Sequence, residues 1–298
     1  MKIVDSVIFF NELDLLEARL EYLHDHVDHF LIVESSHTFT GNPKPLYFKE
    51  NESLFAKYAD KISSVQLILP EDYDFSSPWN LENYQRNYIS QCVDGFDDDD
   101  IIGVSDLDEI PNREKLQEIK QAISQSDGSL VVYPKMFYFY YNLRTRVKNY
   151  NIAHGSEGFD GMWIAPFFTK KSKIIKITAN NLRFRTDPYK KTLDEIVDMN
   201  ELVRLAEESV FNPIKEDLFL KDGGWHLTYF MSEERIKLKL ESFAHTEYDT
   251  DYHKNIERVK ECISEKKDLF DREDHELLSI EPKEFFSEEF LRCFGKWA

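Results

Sequence analysis

The stretch Ile101-Ile102-Gly103-Val104-Ser105-Asp106-Leu107-Asp108-Glu109-Ile110-Pro111 passes from an uncharged, β-branched run straight into a turn with three carboxylates. Such a run reads as a buried strand, and Pro111 is expected to end the extended chain. Upstream, strand and helix signals alternate. Val4–Phe10 is a first apolar run. Asn11 then offers a side-chain oxygen to the free amides of a helix start, with Glu12 and Asp14 in the first turn. Leu13, Leu16, Leu20 and Leu23 recur at helical spacing. Phe30–Val33 is the next strand, followed by a polar loop over Ser35–Pro45. A helix at Ser53–Asp60, a strand at Val65–Leu69 and a helix at Asn80–Val93 lead into Ile101. Strands separated by single helices predict an α/β protein: a Rossmann-like, mixed but mainly parallel sheet flanked by helices. Ligands bind beyond the carboxyl ends of such strands, which singles out Asn11-Glu12, Glu34 and Ser105–Glu109.

Composition narrows the classes of function. Among 298 residues, 37 Lys and Arg face 56 Asp and Glu, a net charge of −19, which repels a polyphosphate and argues against nucleic acid as partner. No apolar run approaches the ~18 residues of a membrane span. Asp5, Glu12 and Asp14 interrupt the N-terminal stretch, so neither a signal peptide nor a transmembrane segment is expected. Cys92, Cys262 and Cys293 lack metal-ligand spacing and read as thiols in a reducing, cytoplasmic setting.

The second half has a different rhythm. Ser129–Tyr133, Met136–Tyr141, Met162–Thr169 and Ile174–Thr178 look like strands without long helices between them. Helices are expected at Thr192–Glu208, Ser232–Ala244 and Asp251–Lys266, with a mixed apolar and acidic tail from Pro282 to Ala298. No linker or repeat divides the chain, and nothing in it signals an oligomeric state.

Asp106 and Asp108, at i and i+2 past a buried strand, offer hard oxygen donors of the kind that hold Mn²⁺ or Mg²⁺ against substrate phosphates. A solvated acidic turn is the competing reading. A haloacid-dehalogenase-type phosphatase would use the first aspartate as nucleophile, but has Thr or Val where this chain has Ile110, and carries its motif near the N-terminus. A nucleotide-sugar transferase, neutralising the charge on a departing diphosphate, suits the position better. Arg86, on the preceding helix, is placed to bind a phosphate or to hold an acidic side chain. Glu34 can accept from a ribose or base, or cap the strand end.

Three further segments carry a resemblance. Phe9–Glu17, Val27–Ser35 and Pro43–Leu46, taken with Ser105–Pro111 and Gly223-Gly224-Trp225-His226-Leu227-Thr228-Tyr229-Phe230, resemble glycosyltransferase family 17 in order along the chain. The resemblance implies a GT-A-like fold and an inverting transfer of a sugar, GlcNAc, from a UDP-sugar donor to a hydroxyl of a glycan acceptor. It implies one domain over 1–298, with a nucleotide-sugar-binding half (1–112), an acceptor and metal-completing half (113–250) and a helical C-terminal extension (251–298). Donor contacts fall on Glu12, Glu34, Arg86 and Asp106, and the Mn²⁺ or Mg²⁺ ligands on Asp106, Asp108 and His226. Gly223-Gly224 would let the backbone approach the ligand. Inversion needs a general base away from the diphosphate; Glu247 is the first candidate and Asp160 the second. Trp163 and Tyr140 offer rings to an acceptor sugar. A non-catalytic glycan- or nucleotide-binding module and a metal-dependent phosphohydrolase are the alternatives. Because the net charge opposes a diphosphate, donor affinity is expected to depend steeply on the metal.

Overall fold

The computed structural model describes residues 1–126, 130–141, 143–147, 162–184, 217–273 and 275–296. One mixed sheet runs through them. Its parallel part has the order β4 (Ile101–Asp106), β1 (Ile3–Phe9), β2 (His29–Ser35), β3 (Ile62–Leu67). The helix Leu13–Leu23 joins β1 to β2, a 3₁₀ stretch Glu52–Lys61 precedes β3, and the helix Pro78–Tyr88 precedes β4. Alternation sorts β1 between two layers. Ile3, Val7 and Phe9 face the helix Leu13–Leu23 and the aromatic tail, while Val4 and Ile8 share a core with Leu31, Val33 and Leu81.

From β4 the sheet continues through antiparallel β9 (Phe167–Lys170) to the ten-residue β6 (Val131–Tyr140), then β7 (Leu143–Val147) and β11 (His275–Leu278). The two-residue β8 (Met162–Trp163) pairs with β6. β10 (Asp217–Thr228) runs parallel to β6 and antiparallel to β5 (Glu109–Pro111). The helices Leu116–Gln125, Ala179–Phe184, Glu233–Ser242 and Ile256–Glu265 flank this part.

Several expectations change. Asn11 does not cap the first helix through its side chain; its backbone carbonyl accepts from Leu13 N at 2.9 Å. Pro111 does end the extended chain: it is the last residue of the three-residue β5, and Asn112 leads from it into the 3₁₀ turn Arg113–Lys115. Ile174–Thr178 is a helical turn and bend, not a strand, since Lys171 N and Ser172 N bond back to Asp100 and Asp98 carbonyls. The two strands separated at Pro134 are one, because Pro134 falls beside the irregularity in β10 between Leu220 and Gly224. The last segment is not wholly helical, since β11 closes the sheet edge on β7. Its helix Glu288–Phe294 packs Phe290 and Phe294 edge-on with Tyr22, and Phe290 at a tilt against Trp225. The helix expected at Thr192–Glu208 lies outside the described residues.

Candidate active site

Two carboxylates of the acidic turn leave β4 in different directions, and each is met by cations. Asp106 Oδ1 accepts from Arg86 at 2.9 Å, and its Oδ2 accepts from Arg183 at 2.7 Å. Asp108 Oδ2 accepts from Lys239 Nζ at 2.7 Å, and its Oδ1 lies 3.5 Å from His226 Nε2. Glu109, wholly buried, takes Arg183 on both oxygens at 2.8 and 2.9 Å and the Asp106 amide at 2.6 Å. Burial works to raise both aspartate pKa values. The guanidinium charges of Arg183 and Arg86 overcome this at Asp106, and Lys239 and His226 do so at Asp108, so both stay below the ordinary carboxylate value of 3.8. Lys239 is correspondingly raised: desolvation opposes its charge, but Asp108 and Glu12 favour it.

The turn owes its shape to a residue the sequence reading passed over. Arg19 is 1% exposed and pairs with Asp5 at 2.7 and 2.8 Å. Its remaining donors reach Ser105 Oγ at 2.6 Å and the carbonyls of Asp106, Leu107 and Glu109 at 3.2, 3.1 and 2.7 Å. A signal was available: Arg19 lies on the apolar face of Leu16, Leu20 and Leu23, and Asp5 interrupts an apolar strand. Lys239 shows the same kind of signal, three residues after buried Ile236 and next to buried Leu240. Arg183 carries no comparable pattern.

Across 118 residues, β10 brings His226 to Asp108. Leu227 N bonds to the Asp108 carbonyl at 2.8 Å, and His226 pairs with Glu109 in the ladder. The glycines before it serve this approach and not a ligand. A Cβ on Gly224 would lie 2.2 Å from the Ile110 carbonyl oxygen, and the residue's φ of 149° favours glycine. The His226 ring stacks on Tyr138 at 4.9 Å and leans on Trp163 at 4.6 Å. Trp163 donates its indole N–H to Glu109, which fixes it beside the acidic turn. Thr228 Oγ1 lies 2.9 Å from His226 Nε2.

The other expected residues divide. Arg86 does point at the acidic turn, but it holds carboxylates: besides Asp106 it bonds Glu82 at 2.8 Å and Asn180 at 3.0 Å. Glu12 lines a cavity beyond the end of β1 together with Phe10, Phe39, Lys44 and Lys239. Glu34 is a correction. It is fully buried, accepts from Phe48 N at 3.0 Å and Lys49 N at 3.3 Å, and lies 3.5 Å from Lys44, so it caps a helical turn and presents no oxygen to a donor. Glu247 is exposed, and its carboxylate lies 2.7 Å from His245 Nδ1. Asp160 lies outside the described residues, as does the side chain of Tyr140.

The expected divalent ion can be tested against these contacts. Two carboxylates and an imidazole are suitable donors by type, but as arranged they do not fit the ion. Both Asp106 oxygens are engaged by guanidinium groups, and one Asp108 oxygen carries an ammonium that would repel a second cation on the same carboxylate. Among the described residues no three His, Cys, Asp or Glu side chains are grouped to hold a metal.

A mixed α/β sheet, parallel over β4, β1, β2 and β3 and flanked by helices, with an acidic turn at the end of a central strand, is the architecture that results. The chain belongs to glycosyltransferase family 17, whose model matches residues 1–151. The β-1,4-mannosyl-glycoprotein 4-β-N-acetylglucosaminyltransferases of Rattus norvegicus and Homo sapiens are each 30% identical to it over 127 residues. That segment is 40% of this chain and 23% and 24% of theirs, so the match spans about a quarter of these relatives. Among solved structures, the apo form of the glycosyltransferase GlyE of Streptococcus pneumoniae superposes with a TM-score of 0.40 at 9% identity, over 74% of this chain and 45% of that one. That likeness is too slight to bear on function. No helix among the described residues is long and apolar enough to cross a membrane.

Proposed function

We propose that the chain moves a sugar, GlcNAc, from a UDP-sugar to a hydroxyl of a glycan acceptor with inversion at the anomeric carbon. The observation that carries this reading is the cavity at the carboxyl ends of β1 and β2, which adjoins the acidic turn through Lys239. Phe10, Phe39 and His37 give it ring faces of the kind that stack on a nucleobase. Glu12 offers a carboxylate to ribose or sugar hydroxyls, and a cation lies at the side where a diphosphate would extend. Family membership and the names of the relatives supply the sugar and the acceptor class.

The chemistry asked of the protein is modest. The donor must be held so that the acceptor oxygen attacks opposite the leaving UDP, and its proton must pass to a base. Glu247 is the carboxylate proposed for that proton. It is exposed, lies just past the helix that carries Lys239, and has its geometry fixed by His245. Trp163 is proposed to line the acceptor side, its ring held by Glu109.

The test is UDP release from a panel of nucleotide sugars, with and without mannose-containing glycans. UDP-GlcNAc should be turned over fastest and acceptor should raise the rate. Glu247→Gln should cut kcat by about 10²–10⁴ with little change in donor KM. Turnover of no nucleotide sugar, or release of inorganic phosphate in place of UDP, would reject the reading.

A further inference from the structure

The acidic turn carries its own compensation. Asp106, Asp108 and Glu109 face Arg86, Arg183 and Lys239, three negative charges against three positive. Each of these three carboxylates already meets a cation, which a divalent ion would have to displace. The three cations are not equivalent, however. Arg86 and Arg183 have side-chain exposures of 1% and 5% and donate on several sides, to Glu82, Asn180, Asp106 and Glu109. Lys44, at 5%, is held by the carbonyls of Phe10 and Pro45. Lys239 is 23% exposed and lines the cavity. Among the described residues its ammonium donates to Asp108 alone, with the Tyr229 ring 5.5 Å away. An ammonium has three N–H donors, so two remain for a ligand.

We propose that Lys239, aimed by Asp108, is the cation that meets the diphosphate of the donor, in the role the sequence assigns to a divalent ion. The proposal rests on the donor reading above. Asp108 is then a positioning residue: its carboxylate fixes the ammonium at the cavity wall, as His226 and the ladder from β5 to β10 fix Asp108. The arrangement is electrically sensible. A rigidly held lysine neutralises charge that develops on the leaving phosphate without reorganising at the moment of reaction. It also bears on how an enzyme of net charge −19 admits a dianion, since Asp106, Asp108 and Glu109 are already paired with cations.

The experiment measures UDP and uridine binding by calorimetry to the metal-stripped protein, in EDTA and in excess Mn²⁺, for the native chain, Lys239→Met and Lys239→Arg. Native UDP affinity should agree within about threefold between EDTA and Mn²⁺. Lys239→Met should weaken UDP by about tenfold or more and leave uridine, which lacks phosphates, unchanged. Lys239→Arg should recover most of the loss, a rescue that a purely structural lysine would not distinguish by ligand. Asp108→Asn should lower UDP affinity less than Lys239→Met does, again sparing uridine. UDP binding that needs Mn²⁺ and is indifferent to Lys239→Met would overturn the proposal while leaving the donor reading intact. No UDP binding under either condition would defeat the donor reading and the proposal with it.

Discussion

Within residues 1–111, the site's carboxylates follow directly from one strand, whereas Arg183, His226 and Lys239 reach it from a short helix, from β10 and from the helix Glu233–Ser242. The first region is parallel, with β1, β2 and β3 side by side in chain order and β4 on the other side of β1. The second is joined over long separations; Lys239 is 131 residues from Asp108. The family match ends at residue 151, so the acids lie inside it and three of their basic partners beyond it. Apart from Arg86, the counter-charges are thus specified by a later stretch of sequence than the acids, and the site is complete only when both stretches fold together.

If the later region neutralises the earlier one, removing its most buried cation should do the most damage. Arg183→Met leaves Glu109 and one Asp106 oxygen buried without their partner and should cost about 3–5 kcal/mol in urea unfolding. A loss under about 1 kcal/mol would mean the cluster does not couple the regions.

Lys239→Met should cost less, about 1.5–3 kcal/mol near neutral pH, the worth of a hydrogen bond to a charged group. The sign of its pH dependence follows from Asp108, whose folded pKa lies below its ordinary 3.8. The unfolded chain therefore takes up that proton first. The stabilisation is full above 3.8 and fades as pH falls through the lower folded value. Thermal midpoints of native and Lys239→Met protein should differ most near neutrality and converge in acid; a constant gap would detach Lys239 from Asp108.

Glu34→Gln probes the parallel region alone. It should lower stability by about 1–2 kcal/mol through the Phe48 and Lys49 amides. UDP affinity should stay within about threefold, and a larger change would return Glu34 to the donor site. The smallest effect concerns the tail. Ser287 caps the helix Glu288–Phe294 by accepting from Phe290 N at 3.1 Å, and Ser287→Ala should cost about 1 kcal/mol by thermal unfolding, with UDP binding unaltered.

The parallel half was legible because its signals are local: apolar runs, helical spacing and polar residues at strand ends. Asp106, Asp108 and Arg86 could be found that way, and even the approach of His226 followed from the order of motifs. What sequence could not convey was which group each carboxylate would meet. Glu34 looks the same on paper whether it faces a ribose or the amides of Phe48 and Lys49. β10 was hidden because charged Asp217, Lys221 and Asp222 break its apolar rhythm, and because its partners lie 86–88 residues away in β6 and 113–117 residues away in β5. The metal is expected from donor type, strand-end position and resemblance, none of which shows that Asp106 and Asp108 pair with Arg183 and Lys239, a tertiary fact.

Arg19 has a consequence for dynamics. Its guanidinium ties the first helix to three carbonyls of the acidic turn and to Asp5 in β1. The turn therefore cannot open while that helix stays docked, and the helix cannot leave without stripping a buried carboxylate. Local unfolding of the site is thereby merged with global unfolding. In hydrogen exchange the amides of Asp106 and Leu227, bonded to Glu109 and to the Asp108 carbonyl, should fall in the slowest class and exchange with the core of the sheet.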